Sequence, residues 1–184
     1  MKYLVIDDAL NYKDATNLKN LFESGDVFWK VSQPVPQEFQ TEGTSLYQLQ
    51  FVNTIYTNQN WTTSSVIGEA ITPLINRCDS YALLRLKVNL TSRADILSTH
   101  GFHIDLIPPH RSALTAVYYF NDSNGWTEFK DGTKIQSKFN RLLVFPAKIE
   151  HSGSTHTDAI SRIVANINFI PHPENKEFKE LTKV

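Results

Sequence analysis

The sequence predicts an α+β, mainly β fold: an antiparallel double-sheet barrel of jelly-roll type, buttressed by helices from its N-terminal side. Three observations predict it. From Tyr81 onward, β-branched and aromatic residues come in short runs broken by turn-forming clusters such as TSRAD, PPHRS, NDSNG, KDGTK and HSGSTHTD. Before Tyr81 the apolar residues recur at helical spacing instead. The 184 residues are enough for one domain with a buried core, and neither an internal repeat nor a low-complexity segment interrupts them.

In chain order, YLVIDD at 3–8 reads as a short strand. Asp14 is placed to cap a helix running to about Ser24, with Leu18, Leu21 and Phe22 on one face and Gly25 as its stop. Residues 32–44, with two prolines and Gly43, read as a loop. Leu46, Leu49, Val52, Asn53 and Tyr56 predict a second helix over 46–56. A third spans Ser64 to Arg77, where Pro73 should kink or shorten it. These elements form a helical support over about 1–78. The strands expected beyond it are 81–90, 102–106, 113–120, 126–130, 133–138, 141–145, 148–152 and 161–170, a barrel core over about 79–171 of a single domain, 1–184.

Composition narrows the function classes. A net charge of −1 gives no global basic footprint, so nucleic acid is the less expected partner. Cys78 is the single cysteine, which excludes an internal disulfide and a thiolate-rich zinc or iron–sulfur site. Standing in RCDSY at a helix end, it reads as a structural thiol. The apolar run in MKYLVIDDAL is too short for a signal peptide or membrane anchor, so the expected location is the cytoplasm, with no membrane partner. The Asn-x-Thr triplets at Asn60 and Asn89 then carry no meaning for glycosylation.

The chemistry-bearing residues lie in the β part. His103 and Asp105 stand two apart on an expected strand, so both project from one face while Ile104 faces the other. Two such ligands need a third from elsewhere, and the late candidates are His151, His156 and His172. His151 fits best, because it follows the apolar run Leu142–Pro146 and precedes the turn Ser152-Gly153. Two imidazoles and one carboxylate on one side of a cation leave the opposite positions open, which is the facial triad of non-haem iron(II) oxygenases. His100 and His110 read as loop residues.

Arg162 opens an alternating strand, SRIVANINFI, in which Arg162, Val164, Asn166 and Asn168 share one face. Inside a barrel its guanidinium needs an anion, and a dicarboxylate co-substrate supplies one through paired N–H···O bonds; on the outer face it is merely solvated. In YALLRLKVNL one face is apolar and the other carries Arg85, Lys87 and Asn89. That polar face either meets solvent or lines the pocket mouth, where Arg85 and Asn89 would contact co-substrate or substrate. Among the aromatic residues, Phe129 is expected in the core, while Tyr118 and Trp126 are open between core and site.

Taken together, His103-Ile104-Asp105, YYFND at 118–122, NGWTEF at 124–129, NRLLVFPAKIEHSG at 140–153 and RIVANINF from Arg162 resemble the prolyl-4-hydroxylase-like branch of the 2-oxoglutarate/iron(II) dioxygenases. The resemblance covers about residues 81–170 and rests on five elements in order. With RLKVNL before GFHIDL, the compact form is also similar to small uncharacterised phage oxygenases, for which the host cytoplasm would be the location. It implies a double-stranded β-helix (cupin-like) fold and iron(II) held by His103, Asp105 and His151. It also implies 2-oxoglutarate as co-substrate, with Arg162 on its distal carboxylate, Tyr119 supporting that carboxylate, Thr127 lining its pocket, and ascorbate as reductant. Two departures stand out. Many prolyl hydroxylases carry lysine where this chain has Arg162, and family members often have a double glycine where this chain has Gly125-Trp126, which bears on the shape of that loop.

The implied activity is hydroxylation with release of succinate and carbon dioxide. A prolyl residue in a protein or peptide is the first substrate expected, then a free amino acid or other small metabolite. Residues 32–62, with Trp29, Tyr47, Tyr56 and Trp61 in or near them, are candidates for a lid or substrate-recognition element. Oligomeric state is not legible. Two other classes share the pattern: a non-enzymatic cupin-like barrel binding a ligand or structural metal, and a zinc hydrolase built on the same three ligands. Neither calls for a dicarboxylate clamp at Arg162 and Tyr119.

Overall fold

The computed structural model describes residues 3–32, 49–106 and 112–183. Their order is β1 (Leu4–Ile6), α1 (Tyr12–Glu23), β2 (Lys30–Ser32), β3 (Gln50–Thr57), β4 (Asn60–Trp61), α2 (Ser65–Arg77), β5 (Ser80–Ser92), β6 (Leu114–Tyr119), β7 (Trp126–Phe129), β8 (Lys134–Gln136), β9 (Arg141–Pro146), β10 (His151–Gly153) and β11 (Ser161–Pro171), followed by a 3-10 turn at Leu181–Lys183. The loop expected over 32–44 falls, after Ser32, outside the described residues, as do Leu46, Tyr47 and His110.

Two antiparallel sheets result. The larger runs β1-β9-β6-β11-β5-β3-β2, with β4 on β3, and the smaller runs β10-β7-β8. Alternation along the central strands separates two apolar layers. Leu114, Ala116 and Tyr118 of β6, with Ile163, Ala165, Ile167 and Phe169 of β11, turn outward against Ala15, Leu18 and Phe22 of α1 and Ile67, Ile71 and Leu74 of α2. Val117, Tyr119, Leu143, Phe145 and Val164 turn inward and meet Phe129 of the smaller sheet. The expected support of a mainly β core by N-terminal helices is therefore present, and Phe129 is core as expected.

Three elements differ from expectation. The helix expected over 46–56 is strand β3 across its described part. Phe51, Val52, Thr54, Ile55 and Tyr56 favour strands. A register shift between Thr54 and Tyr56 breaks the period of two, and this irregularity makes the apolar spacing look helical. The strand expected over 102–106 shrinks to one bridge, His103 to His151. The neighbouring bridge, Thr99 to Ser154, is four residues away on one side and three on the other, and this irregular register keeps the segment from forming a ladder. Finally, α1 is capped by Asn11, whose Oδ1 accepts from Asp14 N at 3.0 Å, and Asp14 lies in the first turn. Helix α2 begins at its Ser64 cap and runs through Pro73 to Arg77.

Asn140 fastens the N-terminal elements to the sheet. It takes a left-handed conformation (φ 60°), which Asn tolerates better than most residues. Its amide accepts from Leu10 N at 2.9 Å and Tyr118 Oη at 3.1 Å and donates to Leu10 O at 2.8 Å.

Candidate metal centre and co-substrate pocket

His103, Asp105 and His151 each offer one ligand atom, and these atoms lie within 4.8 Å of one another. His151 Nε2 is 3.6 Å from one Asp105 carboxylate oxygen, and His103 Nε2 is 3.9 Å from the other. The bridge that joins the two histidine backbones, with N–H···O bonds of 3.0 Å in both directions, sets the imidazoles side by side with ring centroids 4.8 Å apart. His103 Nδ1 lies 3.2 Å from Gly101 O and His151 Nδ1 3.1 Å from Ile149 O. A carbonyl only accepts, so each Nδ1 carries a proton, and in the neutral ring Nε2 is then the lone-pair atom. His151 is 3 % exposed, and its Nε2 has no hydrogen-bond partner. A buried unpaired acceptor is costly, and a cation between the three ligand atoms would relieve it.

Asp105 is held from behind. Arg85 Nη2 donates to Oδ1 at 2.7 Å, and Asn168 Nδ2 (3.2 Å) and Thr115 Oγ1 (3.4 Å) donate to Oδ2. Asn168 also accepts from Arg85 Nε at 2.9 Å and donates to Thr115 at 2.9 Å, so the carboxylate orientation is overdetermined. Burial favours protonating Asp105, but the charges of His151, Arg85, Lys87 and His103 prevail and hold its carboxyl well below the usual range. Burial, reinforced by His151, keeps His103 below the usual imidazole value. Asp105 is thereby set as a carboxylate facing two imidazole Nε2 atoms, a donor set that suits a divalent cation.

A compact cavity of about 60 Å³ runs from His103 and His151 to Arg162. Arg162 is 5 % exposed. Its Nε donates to Ser137 Oγ at 2.7 Å and Nη2 to Trp126 O at 3.3 Å, and its guanidinium carbon lies 5.7 Å from the Tyr119 ring centre. No carboxylate among the described residues pairs with it, and burial lowers it from the usual arginine value. An anion in the cavity would offset that cost. Tyr119 Oη donates to Thr127 Oγ1 at 2.8 Å, and Thr127 lines the cavity.

The other candidates from the sequence sort by position. Asn89 lines the cavity with its Oδ1 buried and unpartnered. Arg85 is engaged with Asp105 and Asn168. His156 is buried beside Arg162 and away from the triad, and His172 is exposed, edge-on to Tyr81. Tyr118 is core, while Trp126 is half-buried with its indole N–H on Glu128 at 2.9 Å.

Sequence reasoning missed several contributors. His100 lines the cavity, and Lys87, Gln50 and Asn166 complete its polar wall. Lys87 and Asn166 share alternating faces with Asn89 and Arg162, a signal that was legible. Thr115 and Asn168 as supports of Asp105 were not, because they meet it across strands. Gly125 is a third case: a Cβ there would lie 2.8 Å from Arg162 Cδ. No helix among the described residues is long and apolar enough to cross a membrane.

No protein-family model matches the sequence, and no curated protein matches it significantly. Solved structures do match. A 2-oxoglutarate/iron(II) oxygenase-family oxidoreductase from Burkholderia pseudomallei superposes with a TM-score of 0.65 at 9 % identity, over 93 % of this chain and 86 % of that one. A prolyl hydroxylase from Trichoplax adhaerens, in complex with a hypoxia-inducible-factor peptide fragment, gives 0.55 at 17 % identity over 92 % and 84 %. HygX from Streptomyces hygroscopicus, with nickel, 2-oxoglutarate and hygromycin B, gives 0.57 at 12 % identity over 94 % and 84 %. By fold, the chain is a double-stranded β-helix of the kind found in 2-oxoglutarate/iron(II) oxygenases.

Proposed function

We propose that the chain is a 2-oxoglutarate-dependent iron(II) dioxygenase that hydroxylates an organic substrate. One observation carries the reading: the two imidazoles that line one end of a cavity converge with the Asp105 carboxylate, and the other end is lined by a buried arginine that no carboxylate among the described residues pairs with. His103, Asp105 and His151 would hold the metal through Nε2, a carboxylate oxygen and Nε2. Bound iron with 2-oxoglutarate and dioxygen supplies the oxidising chemistry, with succinate and carbon dioxide as co-products and ascorbate as the reductant that keeps the iron ferrous.

The chain's own residues supply position. Gly101 and Ile149 carbonyls fix the imidazole tautomers, and Arg85, Asn168 and Thr115 aim the carboxylate. Arg162 takes the distal carboxylate of the co-substrate, with Tyr119 and Thr127 beside it. Asp105 would give the metal a third protein ligand, which supports hydroxylation over halogenation.

For the substrate, a prolyl residue in a protein or peptide stands first, supported by the likeness to prolyl hydroxylases. A small metabolite stands second: HygX, of similar fold, is bound to hygromycin B. Anaerobic addition of iron(II) and 2-oxoglutarate to the folded protein is expected to give a visible charge-transfer band; a folded protein without one would defeat the reading. Arg162→Ala should weaken 2-oxoglutarate binding while sparing the metal, and unchanged affinity would remove Arg162 from its role. Succinate release screened against peptide, amino-acid and nucleotide pools then identifies the substrate class.

A further inference from the structure

We propose that Lys87 binds the metal-side carboxylate of the co-substrate, so that the pocket grips a 2-oxo dicarboxylate with a cation at each end. This deepens the oxygenase reading and rests on it. Lys87 lies on β5, whose lumen-facing residues run Arg85, Lys87, Asn89, Thr91 from the Asp105 end towards Arg162. In register, Lys87 pairs with Asn166 and Thr91 with Arg162. Asn166 and Arg162 are four residues apart on β11, so the two cations start roughly 13 Å apart along the strand at ~3.3 Å per residue. A five-carbon diacid spans roughly 5 Å between carboxyl carbons at ~1.5 Å per bond. With an N···O contact of about 2.8 Å at either end, it bridges most of that interval.

Lys87 lines the cavity and forms no hydrogen bond or ion pair with any described residue. Its one acidic neighbour among the described residues, Asp105, already receives Arg85, Asn168 and Thr115. No carboxylate is among the described residues lining the cavity, whereas two cations and the amides of Gln50, Asn89 and Asn166 are. The buried, unpartnered Oδ1 of Asn89 stands between Lys87 and Thr91 on the same face. A half-buried ammonium without a counter-ion is unfavourable, and burial indeed lowers the Lys87 pKa. An anion arriving beside Asp105 gives it a partner where the described residues provide none. Arg85 cannot take this part while it orients Asp105.

The test uses the full chain loaded with nickel(II), which is inert to turnover, and calorimetric titration with 2-oxoglutarate and with 2-oxopentanoate, which lacks the distal carboxylate. The variants are Lys87→Met, Lys87→Arg and Arg162→Ala, with metal affinity and thermal unfolding measured for each. Lys87→Met should weaken 2-oxoglutarate about 10- to 100-fold, the range for losing a charge-assisted bond, with metal affinity kept and Lys87→Arg recovering most of the loss. Its loss on the monoacid should be as large, whereas Arg162→Ala should lose affinity for 2-oxoglutarate alone. Wild-type affinity for 2-oxoglutarate in Lys87→Met overturns the proposal, as does a loss confined to the diacid, which would place Lys87 at the distal end. A folded, nickel-loaded wild type that binds no 2-oxoglutarate defeats instead the oxygenase reading beneath it.

Discussion

Replacing Gly125 by alanine tests how tightly Arg162 is positioned. The added methyl would sit 2.8 Å from Arg162 Cδ, 3.2 Å from its Nε and 3.0 Å from Thr155 O. Carbon atoms rest at about 3.5–4.0 Å, so the arginine stem must retreat by roughly 0.7–1.2 Å. Its Nε is tied to Ser137 Oγ at 2.7 Å, and a retreat of that size stretches the bond to roughly 3.5 Å, where it no longer counts. Overpacking of this kind costs about 1–3 kcal/mol, and the weakened bond to a charged group about 1 kcal/mol more. The expected loss is therefore about 2–4 kcal/mol, and at ~2–4 °C per kcal/mol for a chain of this size the melting temperature should fall by roughly 5–15 °C. Differential scanning calorimetry without ligand reads the stability. Titration of the metal-loaded protein reads the second effect, a loss of about tenfold or more in 2-oxoglutarate affinity. A Gly125→Ala protein that melts with the wild type and binds 2-oxoglutarate equally would show the arginine to be free to move, and the reasoning would fail.

Three further outcomes are expected. Asn168→Ala removes the amide that joins Arg85, Thr115 and Asp105; metal affinity, read by competition with a chromophoric chelator, should fall about 10- to 100-fold, and an unchanged affinity would make that network incidental. Burial, helped by Arg162 and His103, pulls His100 down to about 4, below its unfolded value of 6.5. The unfolded chain then binds the extra proton, so metal-free stability should fall as pH drops from about 6.5 to 4, by at most ~3 kcal/mol from this residue. His100→Gln should flatten that slope in urea titrations, and parallel slopes would refute the assignment. Burial pushes the Cys78 thiol up to about 12, so a thiol reagent at pH 8 should label it only as fast as the protein opens. Rapid labelling of the native protein would contradict its buried place at the C-terminal end of α2.

The parts of the fold that repeat a period were legible. Strand β11 alternates without a break through the site, so Arg162, Asn166 and Asn168 could be assigned a shared face from spacing alone, and the structure turns that face inward. Where a period is interrupted, reading failed. The irregularity after Thr54 hid β3, and the uneven register between the Thr99 and His103 bridges left only one bridge where a strand was expected over 102–106. Convergence of His103, Asp105 and His151 needed a motif to suggest it, because chain separation says nothing about which segments meet. The supports of Asp105 were out of reach for the same reason: Arg85, Thr115 and Asn168 come from three strands and touch only through the sheet. His100 lies in a loop and outside the triad, as read, but nothing in its spacing showed that it is buried against the cavity.

The backbone bridge between His103 and His151 carries one more consequence. The segment bearing two of the three candidate ligands joins β10 at that point through a pair of reciprocal N–H···O bonds. A cation shared by the same two side chains would act as a clasp across this seam, so that loading the metal and closing the segment become one event. The amide protons of His103 and His151 should then exchange with deuterium far more slowly once metal is added, while those of α1, anchored on the opposite side of the large sheet, keep their pace.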